Sequence, residues 1–173
     1  NFLGHIYYGK RLEDYNIGYL MRTEEPPFVP SKNNRERCSF YDAFPFEYPT
    51  GGLGDFRESC LSIRTEGGHC GCSFSYVSHR ILEGKPELIG LPATFGDKDS
   101  CMTLEITGED KHVGMVVKLY YTVFSDTDVI TRSVKVENAG DKPFYLTKVF
   151  SACLDMDNQD FDMISLHGSW ARE

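Results

Sequence analysis

From residue 102 to residue 153 the chain alternates runs of β-branched, aromatic and aliphatic residues with brief polar turns. This alternation limits the fold more than any other feature. The pattern predicts strands over 102–107, 113–124, 129–137 and 144–153, and a further one over 163–170. Between them, Gly108-Glu109-Asp110-Lys111, Ser125-Asp126-Thr127-Asp128 and Asn138-Ala139-Gly140-Asp141 carry the residues that turns require. Strand runs joined by such short connections fold back on their neighbours, so the expected class is all-β, an antiparallel β-sandwich. No segment carries a sustained apolar stripe at 3.6-residue spacing, which predicts little helix.

The first half follows the same style less regularly. Residues 3–9, 60–66 and 73–83 read as strands, the last closed by a turn at Glu83-Gly84-Lys85-Pro86. Between residues 13 and 35, Pro26, Pro27 and Pro30 exclude a helix. The stretch 42–57 differs from everything around it. Its sixteen residues hold three acids, one arginine, four aromatics, two prolines and three glycines. Prolines that fix φ and glycines that permit positive φ make a shaped loop rather than a repeating element. Charge and rings on such a loop are the usual form of a binding site on a β scaffold.

The formal net charge is −8, which argues against nucleic acid, because phosphate binding needs clustered Lys and Arg. No run of 18 apolar residues is present, so no helical membrane span is expected. The chain begins at Asn1 rather than Met, and Arg172-Glu173 follows a hydrophobic run; a segment of a longer protein is expected. Six cysteines occur in 173 residues, too sparse for a small disulfide scaffold, and reduced thiols are the expectation. Cys70-Gly-Cys72 would put both thiols on one face of a strand but lacks the spacing of a zinc site. Asp155-Met-Asp-Asn-Gln-Asp lacks the glycine and glutamate of a calcium loop. No metal or cofactor is expected.

Asp55 and Arg57 are two residues apart, so an extended segment would aim them the same way, with Phe56 opposite. Such a pair grips sugar hydroxyls, one group accepting and the other donating, or simply binds itself as an ion pair. Asp42 and Glu47 can act likewise, and Tyr48 and Phe56 offer rings for a sugar face. Arg132 falls inside the 129–137 run, where burial against turn carboxylates is expected. No Ser, Cys and His arrangement supports nucleophilic catalysis.

Several marks together resemble the bacterial α-galactosidases of glycoside hydrolase family 36. Leu-Gly-His-Ile-Tyr-Tyr-Gly-Lys-Arg-Leu at 3–12 resembles their opening segment. Glu47-Tyr48-Pro49 followed by Gly54-Asp55-Phe56-Arg57 resembles their loop E-Y-P-x-x-G-x-G-D-F-R. Leu91-Pro92-Ala93-Thr94, the pair 121–124 with 128–133, and the final Gly168-Ser169-Trp170-Ala171-Arg172-Glu173 follow in the family's order. One departure is Glu58-Ser59-Cys60, where the family usually has proline two residues after the arginine.

The resemblance implies the N-terminal β-supersandwich, galactose mutarotase-like and incomplete at its C-terminal side, with the catalytic (β/α)₈ barrel beyond residue 173. It implies no catalytic residue in this segment. It implies substrate-binding positions at Asp55, Arg57, Asp42 and Glu47, α-galactoside sugars as partners, and a cytoplasmic homo-oligomer, a tetramer, in which this loop lines a neighbouring subunit's pocket. The alternative is a free-standing carbohydrate-binding or mutarotase-like sandwich without hydrolase activity.

Overall fold

The computed structural model describes residues 2–13, 16–20, 45–51, 54–90, 92–156, 160–162, 164–165 and 168. Six strands form two antiparallel sheets. Strand β1 (Leu61–Thr65) pairs with β6 (Phe144–Val149). A second sheet has the order β2 (Ser75–Glu83), β3 (Cys101–Asp110), β4 (Met115–Phe124) and β5 (Ile130–Asn138), each next to its chain neighbour. Helix is confined to a single 3₁₀ turn at Gly18–Leu20 among the described residues. The expected all-β antiparallel architecture is what the chain adopts.

Alternation explains the packing. On β4, Met115, Val117 and Leu119 point inward and are buried, while Val116, Lys118 and Tyr120 point outward and are half-buried. In-register partners Ile106 on β3 and Val134 and Val136 on β5 continue that inner face. Leu61 and Ile63 of β1 close the core from the other sheet, with Tyr48, Cys60, Cys72 and Phe74 filling the space between. Gly108 lies on the same inner face because a Cβ there would come within 2.2 Å of the Phe74 ring. The glycine therefore makes room for the aromatic ring.

Several boundaries differ from the sequence expectation, each for a physical reason. Strand β3 runs through Gly108 to Asp110, and the turn is displaced to 111–114. Asp110 stops it: its Oδ1 accepts from the backbone N–H groups of His112 and Val113, and its Oδ2 from that of Ser73. Strand β6 ends at Val149, where Phe150 turns its N–H onto the Cys60 carbonyl. The expected strand over 3–9 reduces to one bridge, Gly4 with Phe46. Extending that pairing needs an N–H at Pro45, which proline lacks. Ile164, Ser165 and Gly168 are not in a strand, and the rest of the 163–170 run lies outside the described residues. Cys70 and Cys72 sit outside the strands, one exposed and one buried, so they do not share a strand face. The five described cysteines are free thiols.

The outer face of the large sheet is not wholly polar and wet. Thr103 and Thr122 are buried there under the loop after β2, with their hydroxyls 2.8 Å apart and Thr103 donating to the Gly84 carbonyl. On the inner face, the register row Met102–Val123–Ile130 lies beyond the reach of β1 and β6 and stays exposed.

Replacing Gly108 by alanine drives a methyl into the Phe74 ring and costs about 1–3 kcal/mol, the range for overpacking. Leu119→Ala opens a cavity instead and costs about 2–5 kcal/mol. Urea unfolding of both variants checks this; a Gly108→Ala midpoint equal to the parent's would contradict the placement of Phe74.

Candidate functional site

The loop 45–57 is tied down at consecutive residues. The N–H of Glu47 donates to the Leu3 carbonyl at 2.9 Å, and that of His5 to the Pro45 carbonyl at 2.8 Å. Tyr48 is only 2% exposed, packs edge-on to Phe74 and donates its hydroxyl to the Phe150 carbonyl. It is a core residue and cannot stack on a sugar, which corrects the sequence expectation for this ring.

Asp55 adopts a left-handed backbone, φ 47°, between Gly54 at φ 103° and Phe56. Aspartate tolerates that conformation better than most residues, and its side-chain bonds compensate for the strain. Its Oδ1 accepts from Arg57 Nε at 2.8 Å and from the Arg57 N–H at 3.3 Å. Its Oδ2 accepts from Arg57 Nη2 at 2.7 Å and from the Phe46 N–H at 2.8 Å. Arg57 Nη2 also donates to the Phe46 carbonyl, and Nη1 reaches Asp155 Oδ2 at 2.7 Å. The pair thus shares one side, as expected, but through a left-handed residue rather than an extended segment. Burial pushes the Asp55 carboxyl up, but the bonds from Arg57 and Phe46 outweigh it and hold it below the usual range. The hydrogen bond to Asp55 raises the Arg57 guanidinium in turn. Between these immobilised residues Phe56 stands 94% exposed.

Glu47 belongs to a second cluster. Its Oε2 lies 2.6 Å from His5 Nδ1, and its Oε1 accepts from the Tyr121 hydroxyl at 2.7 Å and from Arg132 Nη1 at 2.8 Å. The Arg132 guanidinium lies 3.9 Å from the centre of the Tyr121 ring, a cation–π contact. Burial pushes the Glu47 carboxyl up; the bonds from His5 and Tyr121 and the charge of Arg132 overcome this and hold it low. Burial raises the Tyr121 phenol and keeps it a donor. Beside this cluster opens a cavity of about 400 Å³, whose lining includes Leu3, Tyr7, Tyr8, Leu104 and Ile130.

Of the four candidates, the structure joins Asp55 to Arg57 and gives Glu47 a separate set of partners, His5, Tyr121 and Arg132. Asp42 lies outside the described residues. The Arg132 side chain is only 10% exposed, and it is held by Glu47 rather than by turn aspartates. Nothing in the local sequence marks His5 and Tyr121 as partners of Glu47, or Asp155 as a partner of Arg57. Arg132 and Tyr121 share the strand phase of Val134 and Leu119, so an arginine on an apolar phase was the available signal. Among the described residues no group of three His, Cys, Asp or Glu could hold a metal. Both low carboxyls are ionised and fully bonded, an arrangement suited to positioning rather than proton transfer.

Two packed antiparallel sheets with a braced, aromatic-tipped loop define the class as a β-sandwich. The chain belongs to glycosyl hydrolase family 36: the model of that family's N-terminal domain matches residues 1–173. It is 35% identical over 173 residues to α-galactosidase AgaA of Geobacillus stearothermophilus, spanning 99% of this chain and 24% of that one. It is likewise 35% identical to the bifunctional α-galactosidase/sucrose kinase AgaSK of Mediterraneibacter gnavus, over 99% of this chain and 18% of that protein. The fold superposes on the galactosidase domain of AgaSK with TM-score 0.77 at 36% identity, covering 87% of this chain and 21% of that one. A raffinose complex of an AgaA variant gives TM-score 0.76 at 34% identity, covering 86% and 21%. The chain therefore spans less than a quarter of the relatives it matches. Among the described residues no helix is long and apolar enough to cross a membrane.

Glu47→Gln leaves the buried Arg132 charge uncompensated and should cost about 3–5 kcal/mol at neutral pH. The sign of the pH dependence follows from the low folded-state carboxyls. Between the folded values and the ordinary 4.5 and 3.8 of Glu47 and Asp55, the unfolded chain binds more protons. Stability is then complete above about pH 5 and is lost as pH falls through the folded values. Thermal unfolding from pH 3 to 7 should show this acid limb, shallower in Glu47→Gln. Equal melting of variant and parent at pH 7 would contradict the ion pair.

Proposed function

We propose that this segment is the non-catalytic N-terminal sandwich of a retaining α-galactosidase that removes terminal α-D-galactose from melibiose- or raffinose-type sugars. The catalytic (β/α)₈ barrel would follow residue 173. Support comes from relatives that are α-galactosidases and from related structures bound to raffinose and stachyose. In this reading the parent is a cytoplasmic homo-oligomer, and the segment serves assembly and lines the sugar pocket of a neighbouring subunit.

The observation that carries the pocket role is Phe56. A fully exposed ring between two residues with at least four hydrogen bonds each is presented rigidly, and a rigid ring loses little entropy on stacking. Arg57 would contact sugar through Nη1, whose present partner Asp155 is 64% exposed at its side chain and exchangeable. Asp55 would hold Arg57 in aim, Asp42 would add a contact, and Glu47 would brace the base of the loop. The role is binding and orientation; bond cleavage would fall to the barrel.

In the full-length enzyme, Phe56→Ala should raise KM for raffinose about 2- to 10-fold, the equivalent of about 0.5–1.5 kcal/mol of lost ring contact. The melting temperature should stay at the parent's value, because the ring buries nothing in the fold. An unchanged KM would remove the loop from the sugar pocket. Separately, the isolated segment should not hydrolyse a chromogenic α-galactoside that the full enzyme cleaves; turnover by the segment would overturn the non-catalytic assignment.

A further inference from the structure

An arginine side chain has five N–H donors, and four of those on Arg57 have acceptors. Nε donates to Asp55 Oδ1 at 2.8 Å, Nη2 to Asp55 Oδ2 at 2.7 Å and to the Phe46 carbonyl at 2.8 Å, and Nη1 to Asp155 Oδ2 at 2.7 Å. The fifth, the second N–H of Nη1, meets no acceptor among the described residues. Asp155 mirrors this. Its Oδ2 takes the Arg57 bond, and its Oδ1 accepts nothing among the described residues. One free donor and one free acceptor thus flank a single charge-assisted bond. The two carboxylate oxygens share a carbon, so the free acceptor is a close neighbour of the donor nitrogen.

Both groups are reachable from solvent. The Arg57 side chain is 23% exposed and that of Asp155 64%, against 3% for Asp55. Asp55 and Phe46 fix the guanidinium without help from Asp155, and an exposed ion pair adds little to fold stability. Asp155 is therefore dispensable to the brace, while the fixed guanidinium gives its carboxylate a set place. It comes from the chain after β6, 98 residues from Arg57, and meets the loop that carries the exposed Phe56.

We propose that Asp155 is a sugar-binding residue: its free Oδ1 accepts from one hydroxyl of a vicinal diol, while the second N–H of Arg57 Nη1 donates to the neighbouring hydroxyl. The inference rests on the sugar-pocket reading above and adds a residue to it. Nη1 can reach a sugar by giving up Asp155, or by using its second N–H with Asp155 in place. Giving up Asp155 trades a charge-assisted bond for a weaker one to a neutral hydroxyl. Keeping it retains that bond and adds two. A diol suits the pair because each hydroxyl both donates and accepts. It is also neutral, whereas an anion would meet the charge of Asp155 and a cation that of Arg57. The diol belongs to the terminal galactose, the ring that melibiose- and raffinose-type substrates share.

The test uses the full-length enzyme and Asp155→Asn. The single amide oxygen of that variant can serve Arg57 or the sugar, not both, and its NH₂ group cannot accept. KM for raffinose should rise about 3- to 20-fold, the loss of one or two hydrogen bonds, with kcat nearly unchanged. A merely structural role is separated by competitive inhibition with D-galactose and its 2-, 3-, 4- and 6-deoxy forms. At least one deoxy sugar should bind the parent about 3-fold or more weakly than galactose, and that penalty should vanish in Asp155→Asn. An unchanged KM overturns the proposal, as do deoxy penalties equal in variant and parent. If Asp155→Asn does not fold, crystals of the unmutated enzyme soaked in D-galactose decide. Adjacent hydroxyls on Asp155 Oδ1 and Arg57 Nη1 support the assignment, and galactose bound without touching Asp155 overturns it. Phe56→Ala, measured alongside, separates the two readings. A raised KM there with none in Asp155→Asn removes Asp155 alone, whereas no change in either removes the sugar pocket as well.

Discussion

The Glu47–Arg132 ion pair is the contact on which the arrangement of the loop depends. It joins a segment outside the sheets to the inner face of β5, and Tyr121 brings in β4. Burying two charges is costly, and an isolated pair would not offset the loss of water. Here Glu47 receives three side-chain bonds, and the guanidinium also rests on an aromatic ring. The acid is thus held ionised in a place where burial alone would protonate it. Such a network also specifies geometry, because a shift of the segment by one residue would leave every one of these groups unpaired.

Three successive residues divide the labour of holding the loop. Phe46 offers both its N–H and its carbonyl to the Asp55–Arg57 pair. Glu47 reaches the four-stranded sheet. Tyr48 inserts between the two sheets and ends on the Phe150 carbonyl beside β6. The loop is therefore anchored to both sheets at once, and its exposed tip inherits their rigidity. That is a suitable base for the sugar-contacting role proposed for Phe56, since preorganisation lowers the entropic cost of binding. The left-handed Asp55 fits the same logic: local backbone strain is tolerated where surrounding bonds over-determine the position.

The contrast between Arg57 and Arg132 separates two uses of one chemistry. At Arg57 all three nitrogens are committed and the residue braces the loop, with one bond made to a solvent-facing aspartate. At Arg132 a single nitrogen is bonded to a carboxylate, and Nε and Nη2 are buried without an acceptor among the described residues. A count of charged residues would treat both as structural ion pairs. Only the identity of the bonded nitrogens distinguishes the two.

Strand–turn alternation was sufficient to read the all-β antiparallel class and the folding back of β3, β4 and β5 on one another, but not the departure of β6 to pair with β1 in the other sheet. The first two are local properties, and a sequence displays them directly. The order of family marks likewise carried the assignment to family 36. The pairing of Asp55 with Arg57 was legible because they stand two positions apart. The partners of Glu47 were not, since His5, Tyr121 and Arg132 are 42, 74 and 85 residues away. Nor was the burial of Tyr48, which reads like any loop aromatic until the second sheet covers it, nor the single bridge in place of a first strand, which the missing N–H of Pro45 decides. The sequence by itself determined which residues alternate and where the chain turns. Tertiary structure alone decided which charges meet, because a buried ion pair is set by the packing of distant elements and leaves no periodic trace along the chain.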